Sequence, residues 1–361
     1  MTPSNTFCSA PWMNRYINPI GEMSPCCFTT NIETEADIAG LKQSFIDGEQ
    51  ALACKYCWHN EQHAMPSPRL DFNAAAGGKL SFDDDVYSTA EVNQLSINIG
   101  NYCNAECIIC NGMSSSKRNN WLKHHNSKFH KIHTIQRAND NIDDLPYLNI
   151  KTLTLLGGEP TIHPSTYKIL DYYINKGISK NISISLNTNA SKLDPSLLDK
   201  LKLFDILSIT LSIDGTGSYF EYQRRPIKWK IAKQVAEQWM TAADNIVINY
   251  VVTAVSIWGF NEFLTWFSTL PQYVLDKKPT VILTPVGNNP CLSLAVLNDE
   301  QRTNWIDQAT DHPLKQQIIN IINSTVYDKS LLPQLADKVK LEDTTSKIKF
   351  ADIFPNWDLN G

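Results

Sequence analysis

The chain has 361 residues, with 32 Lys plus Arg against 37 Asp plus Glu, a formal charge of −5. This balance argues against a generic binder of nucleic acid or of acidic membrane, and a hydrophobic content of 42% excludes a mostly disordered chain. The sequence opens without a basic region followed by an apolar one and holds no run of about 18 apolar residues, so a soluble cytoplasmic protein is the expectation.

In chain order, residues 1–75 read as a small cysteine-rich module, with a strand-like stretch at 14–19, a turn at Gly21 and a helical stretch near 38–48. Residues 76–93, with Gly77-Gly78 and the acidic run Asp83-Asp84-Asp85, read as a linker whose acids form a solvated face. Strand–helix alternation follows over 94–297. Short apolar or β-branched runs at 95–99, 153–156, 182–186, 206–213, 247–252 and 281–284 predict buried parallel strands. Helical patterns fall between them at 114–123, 165–176, 196–202, 227–242 and 261–270. Six such strands joined by right-handed crossovers predict an α/β fold, an open partial (β/α)6 barrel. Residues 298–361 read as a helical carboxyl-terminal extension.

The cysteines depart from this ordinary pattern. Eight of nine lie in the first 110 residues: Cys8, Cys26, Cys27, Cys54, Cys57, Cys103, Cys107 and Cys110, with Cys291 alone. Short spacings in a cytosolic chain point to metal or redox chemistry rather than disulfides. Cys103-x3-Cys107-x2-Cys110 follows the first strand of the alternating region, at the carboxyl end of the sheet, where such folds carry their chemistry. Three thiolates can hold three corners of a cuboidal iron–sulfur cluster and leave one iron open. Zinc bound by the same three and a distant fourth ligand is the alternative. The next strand ends in Gly157-Gly158-Glu159-Pro160. Its glycines permit a ligand close to the backbone, and Glu159 can accept hydrogen bonds from an ammonium group. An ordinary strand-to-helix turn is the alternative there.

Cys103-Asn104-x-x-Cys107-x-x-Cys110 followed by Gly157-Gly158-Glu159-Pro160 resembles the radical S-adenosylmethionine (SAM) superfamily. The likeness continues through Asn187-Thr188-Asn189-Ala190, Ser212-Ile213-Asp214-Gly215 and Tyr222-Gln223-Arg224. The resemblance implies that Cys103, Cys107 and Cys110 bind a [4Fe–4S] cluster whose open iron takes the amino and carboxylate groups of SAM. Gly157, Gly158 and Glu159 would then lie at the amino end of SAM, and Asn187, Ser212, Asp214 and Arg224 become candidates for its ribose or carboxylate. For Asp214, bonding to the following turn is an equal reading. Ile109 departs from the aromatic residue that the family often places before its third cysteine.

The amino-terminal spacing Cys8, Gly21, Cys26, then Cys54-x2-Cys57 resembles the Twitch/SPASM class of auxiliary modules, as do Phe7, Pro11-Trp12, Pro25 and Glu61 through Ser67-Pro68-Arg69. This implies a second [4Fe–4S] cluster held by Cys8, Cys26, Cys54 and Cys57, with Cys27 competing for the place of Cys26. A structural zinc ribbon uses the same ligand set. Together the two resemblances cover residues 7–285. They imply reductive cleavage of SAM to a 5′-deoxyadenosyl radical, a flavodoxin- or ferredoxin-like electron donor, and oxidative change of a peptide side chain or of a small molecule, with the auxiliary cluster as electron acceptor. Redox-neutral epimerisation is the rival within enzymes, with Cys291 the one candidate hydrogen donor, and a zinc-stabilised binding protein is the rival outside them. Lys117-Arg118 and the His-rich stretch 123–133 read as a solvated loop, Tyr219, Tyr222 and Trp229 as core, and His163 as a satisfied loop histidine.

Overall fold

A computed structural model describes residues 5–76, 92–125, 127–128, 149–287, 289–354 and 357. Its centre is one open sheet of eight strands in the order β2-β1-β3-β4-β5-β6-β7-β8. The strands are β1 (Asn14–Ile17), β2 (Met23–Ser24), β3 (Gln94–Asn98), β4 (Thr152–Leu156), β5 (Ser183–Thr188), β6 (Leu207–Ser212), β7 (Asn245–Val252) and β8 (Thr280–Pro285). β3 to β8 are the six expected strands, parallel and in sequence order. β1 adds a seventh parallel strand beside β3, and β2 pairs antiparallel to β1 through a turn at Gly21, where φ is +90°. The amino-terminal segment therefore shares the sheet. The acidic run at 83–85 and the linker reading of 77–91 lie outside the described residues.

The strands differ from the expectation in one respect. They alternate rather than being buried on both faces. Leu95, Ile97, Leu153, Leu155, Ile184, Leu186, Ile209, Leu211, Ile246 and Ile248 are buried, whereas Thr154, Ser185, Asn187, Thr210 and Asn249 between them are only half-buried. The buried positions pack into the hydrophobic core on one face. The other face lines a space, so hydroxyl and amide side chains keep their hydration there instead of being sealed unpaired.

Helices of seven residues or more are numbered in chain order: α1 (Glu35–Ile46), α2 (Lys55–Gln62), α3 (Pro68–Ala76), α4 (Ser116–His124), α5 (Pro164–Asn175), α6 (Pro195–Leu201), α7 (Gly217–Gln223), α8 (Trp229–Ala242), α9 (Phe260–Ser268), α10 (Asp299–Gln308), α11 (Pro313–Asn323) and α12 (Leu332–Asp343). α8 shows why they dock. Ala232, Val235, Ala236, Trp239 and Met240 recur every three or four residues, and all are buried. α10 to α12 make the expected helical carboxyl-terminal region. Among the described residues no helix is long and apolar enough to cross a membrane.

Candidate active site

Cys103, Cys107 and Cys110 sit in the loop after β3, stitched in place from several sides. The Ser116 hydroxyl accepts from the Cys103 amide at 3.2 Å, and the amides of Glu106 and Ile108 donate to the carbonyls of Arg225 and Gln223 at 2.7 and 2.9 Å. Ser115 caps α4 and donates from its hydroxyl to the Ala105 carbonyl at 2.6 Å. The three thiols fall within one another's electrostatic reach. A hydrogen bond between Cys107 and Cys110 pulls Cys107 below the ordinary thiol value and pushes Cys110 well above it, while burial raises Cys103 to about 12. Burial opposes charge on Cys103 and Cys110, so a full set of thiolates forms only with a cation among them. Among the described residues no three acidic, Cys or His side chains gather closely enough to hold a single metal ion.

The Gly-Gly-Glu turn packs against this loop. Gly158 has φ of +51°, and a Cβ on it would stand 2.2 Å from the Tyr102 carbonyl oxygen; on Gly157, with φ of +94°, it would stand 1.9 Å from Asn98 Oδ1. The glycines thus admit the chain's own cysteine loop, a reason that sequence reading assigned to a ligand. Glu159 is fully buried. Its carboxylate accepts from Thr161 Oγ1 at 2.6 Å and Thr188 Oγ1 at 2.8 Å, and from the amides of Thr161 and Asn189 at 3.2 and 2.6 Å. Those four donors match the acceptor capacity of a carboxylate, and they brace the end of β4 against the end of β5. Burial raises its carboxyl above the ordinary range.

Asp214 and Arg224 meet each other. Arg224 Nε lies 2.7 Å from Asp214 Oδ2, and Oδ1 accepts from Arg224 Nη2 at 2.9 Å and from the Val251 amide at 2.8 Å. Both are buried, with the thiols of Cys107 and Cys110 in the electrostatic field of Arg224. Ser212 ends β6, half-buried, and Asn187 projects from β5 into the cavity described below. The Ile109 carbonyl accepts from Asn289 Nδ2 at 2.6 Å, and its side chain packs on the core. Asn189 was quoted only as part of a turn, yet its Nδ2 lies 3.9 Å from Cys103 Sγ and 3.0 Å from Asn104 Oδ1. Its signal was its place one βα unit beyond the Gly-Gly-Glu turn.

The second set of thiols is built as deliberately. Cys8, Cys26, Cys54 and Cys57 line one small cavity with Pro11, Pro25, Leu41, Phe45 and Phe72, and Cys27 is exposed and does not line it. Asn14 Nδ2 fixes Pro25 before Cys26 by donating to its carbonyl at 2.7 Å. Arg69 on α3 pairs with Glu61 on α2 at 2.9 Å and donates to the Phe7 carbonyl at 2.7 Å. One guanidinium thus ties the helix that carries Cys57 to the segment that carries Cys8. Burial raises all four thiols, Cys57 to about 11 and Cys54 to about 12. A donor set of thiolates alone in an apolar pocket suits an iron–sulfur cluster.

The sheet and the amino-terminal segment enclose a cavity of about 530 Å³. Its walls are Gln94, Asn187, Thr210, Asn249 and Thr284 of the sheet, Phe28, Tyr56, Met65 and Phe72 of the amino-terminal segment, and Gln317 and Ile321 of α11. Asp71 is the one charged lining residue. Phe28 and Tyr56, adjacent in sequence to Cys27 and Cys57, stack with ring centroids 4.6 Å apart. Cys291 is buried away from this cavity, with the Lys338 ammonium in its field. Tyr219, Tyr222 and Trp229 pack into the core as expected, and His163 caps α5 by accepting from the Ser165 amide at 3.1 Å. Arg118 is buried and ion-paired with Glu342, unlike the solvated stretch that sequence reading drew. Residues 129–148 lie outside the described set.

Residues 97–263 match the family model of the Radical SAM superfamily. The mycofactocin maturase MftC of Mycobacterium tuberculosis (strain CDC 1551 / Oshkosh) is 22% identical over 165 residues, which are 45% of this chain and 38% of that protein. The AdoMet-dependent heme synthase of Methanosarcina barkeri is 28% identical over 116 residues, 32% of this chain and 29% of that one. The chain thus spans well under half the length of the curated relatives it matches. Among solved structures, native anSMEcpe with bound AdoMet aligns over 65% of this chain and 63% of that one, with a TM-score of 0.45 and 18% identity.

Proposed function

We infer, from a chain that carries a radical SAM domain over residues 97–263, that the protein is an enzyme acting on a peptide segment or a small molecule in the cavity lined by its sheet and its amino-terminal segment. The observation that carries this reading is that cavity, walled by Asn187 near the carboxyl end of β5 and by Phe28 and Tyr56, the sequence neighbours of Cys27 and Cys57. Bound at Cys103, Cys107 and Cys110, a [4Fe–4S] cluster with SAM supplies a one-electron cleavage that yields a hydrogen-abstracting 5′-deoxyadenosyl radical.

The chain's own residues supply placement and exclusion. Gly157, Gly158 and Glu159 hold the loop that frames the methionyl end of SAM, and Glu159 sets the register between β4 and β5. Asn187 reaches from the cofactor end of the sheet into the cavity and is positioned to orient both cofactor and substrate. Ser212 stands at the neighbouring strand end as a ribose contact. Asp214 and Arg224 act on the site together, by keeping positive charge beside Cys107 and Cys110. The mostly apolar lining can take a side chain, its amide and hydroxyl groups can bind peptide groups, and among the described residues it offers no cation to a phosphate or polycarboxylate. The amino-terminal segment closes the cavity against water.

We assign Cys8, Cys26, Cys54 and Cys57 to an auxiliary [4Fe–4S] cluster that accepts an electron, which makes the outcome oxidative. Cys26 lines the thiol pocket and Cys27 does not, which supports Cys26 as ligand. The displacement of Cys291 from the cavity argues against it as the hydrogen donor of an epimerase. The test is iron, sulfide and zinc analysis after anaerobic reconstitution of a variant with Cys103, Cys107 and Cys110 all changed to Ala. About four irons per chain support the auxiliary cluster. Iron near zero with about one zinc makes the segment a ribbon and removes the electron acceptor. With the parent protein, 5′-deoxyadenosine formed from SAM on reduction supports the radical chemistry, and its absence overturns it.

A further inference from the structure

From Cys103 to Ile108 the cysteine loop hangs from two other segments of the chain. The Cys103 amide donates to the Ser116 hydroxyl at 3.2 Å, and the Ala105 carbonyl accepts from the Ser115 hydroxyl at 2.6 Å, both at the start of α4. The Glu106 amide donates to the Arg225 carbonyl at 2.7 Å, and the Ile108 amide to the Gln223 carbonyl at 2.9 Å. Each of these segments also carries a buried arginine. One is Arg118 in the first turn of α4, whose amide donates to Ser115 Oγ at 3.1 Å. The other is Arg225 itself.

Both arginines end on one carboxylate. Glu342 of α12 has a side chain 1% exposed and lies 224 residues from Arg118 in the chain. Arg118 engages both of its oxygens, with Nη1 donating to Oε2 at 3.1 Å and Nη2 to Oε1. Arg225 Nη2 pairs with Oε2, and its Nη1 donates to the Glu342 carbonyl at 3.0 Å and to Thr345 Oγ1 at 3.2 Å. The Trp121 ring lies under both guanidinium groups, at 4.6 and 5.3 Å, and its Nε1 donates to the same Thr345 hydroxyl at 3.2 Å. The Lys338 ammonium stands 3.9 Å from Glu342 Oε1. Asp343, next along α12, is engaged elsewhere, accepting from the Tyr222 hydroxyl at 3.3 Å and the Phe350 amide at 3.1 Å. Glu342 thus closes a ring that runs from the cysteine loop through α4 and α12 to residues 223–225 and back. A guanidinium fork holds a carboxylate in a fixed geometry, and loss of that carboxylate would strand two buried cations.

We propose that Glu342 is a positioning residue for the cysteine loop: by gripping Arg118 and Arg225 together it fixes the two segments from which that loop hangs, and so the geometry in which Cys103, Cys107 and Cys110 hold their cluster. The carboxyl-terminal region thereby takes part in the chemistry without touching it. The proposal rests on the reading that those thiols hold a [4Fe–4S] cluster. Its physical content is that groups outside a ligand set orient the ligands, and that a site left loose by its supports loses metal or activity.

The test compares the full-length reconstituted protein with its Glu342→Gln, Arg118→Lys and Leu335→Ala variants, each kept below its unfolding temperature. The readouts are the electron paramagnetic resonance signal that changes when SAM is added to the reduced protein, and the rate of 5′-deoxyadenosine formation from SAM. Leu335 is buried on the same helix and touches neither arginine through a hydrogen bond or ion pair, so its truncation loosens the packing of α12 and leaves the ring intact. Glu342→Gln is expected to lose or alter the SAM-sensitive signal and to form 5′-deoxyadenosine about tenfold more slowly or worse, whereas Leu335→Ala keeps the signal and the rate of the parent. A Glu342→Gln protein with the signal and rate of the parent overturns the proposal. Equal losses in the Gln and Leu335→Ala variants also overturn it, because they show a packing role. Should Glu342→Gln fail to fold, Arg118→Lys decides on the same outcomes, since it keeps the buried charge and removes the fork. A parent protein with no SAM-sensitive signal overturns the functional reading itself, before any variant is compared, and this proposal with it.

Discussion

The two sets of thiols are built from the same residue and differ in what surrounds them. Cys103, Cys107 and Cys110 lie beside the Arg224 guanidinium and the Asn189 amide. Cys8, Cys26, Cys54 and Cys57 lie among Pro, Leu and Phe, and burial raises all four. The first environment supplies a cation and hydrogen-bond donors beside its thiols. The second seals its contents and makes them costly to ionise until a metal arrives. The lesson is that a cysteine count identifies a donor set, whereas the neighbours decide whether it is an exchange site or a closed one.

Single replacement of Cys103, Cys107 or Cys110 by Ala should sharpen that contrast most, abolishing 5′-deoxyadenosine formation while leaving the iron of the amino-terminal set in place, as measured by product assay and iron analysis. Cys57→Ala should do the reverse: iron falls by about four per chain, SAM cleavage persists and substrate oxidation stops. Retention of substrate oxidation there would break the assignment of an electron acceptor.

Breaking the buried pair with Asp214→Ala should cost about 3–5 kcal/mol, because it strands Arg224; thermal unfolding checks this. Gly158→Ala should cost about 1–3 kcal/mol from its positive φ alone, and the shift of Tyr102 should lower iron loading at the adjacent loop.

The smallest effect is one of pH. In the metal-free protein the raised Cys57 and Cys54 thiols favour the folded state while they keep their protons. That contribution is fully present below the unfolded thiol value, near 9, and fades as pH rises through about 11 and 12. Fluorescence of Trp12 and Trp58, both in that apolar cluster, should report loosening of the amino-terminal segment in that window. Iron binding should remove the dependence.

Much of this was legible in the sequence. The six central strands and their order followed from apolar runs spaced by helical patterns, because local hydrophobic periodicity and right-handed crossovers leave few alternatives. The placement of Cys103, Cys107 and Cys110 after the first of them followed from the same reading. The polar face of the strands was present too, as Ser, Thr and Asn at every second position of 183–187 and 208–212. It was passed over because β-branched and apolar neighbours dominate the average.

Other features were beyond any local pattern. Nothing around Arg118 or Glu342 announces that they meet, since a pairing across 224 residues is set by how α12 packs and not by spacing. The glycines at 157 and 158 were readable as necessary, yet only the packed loop shows that Tyr102 and Asn98 occupy the space a side chain would need. The sequence by itself determined the donor atoms and the strand order, because both are local properties of residue type and period. Tertiary structure alone decided the partners of Glu159, the union of Asp214 with Arg224, and the cavity between the sheet and the amino-terminal segment, because each depends on surfaces that meet only after the sheet has formed.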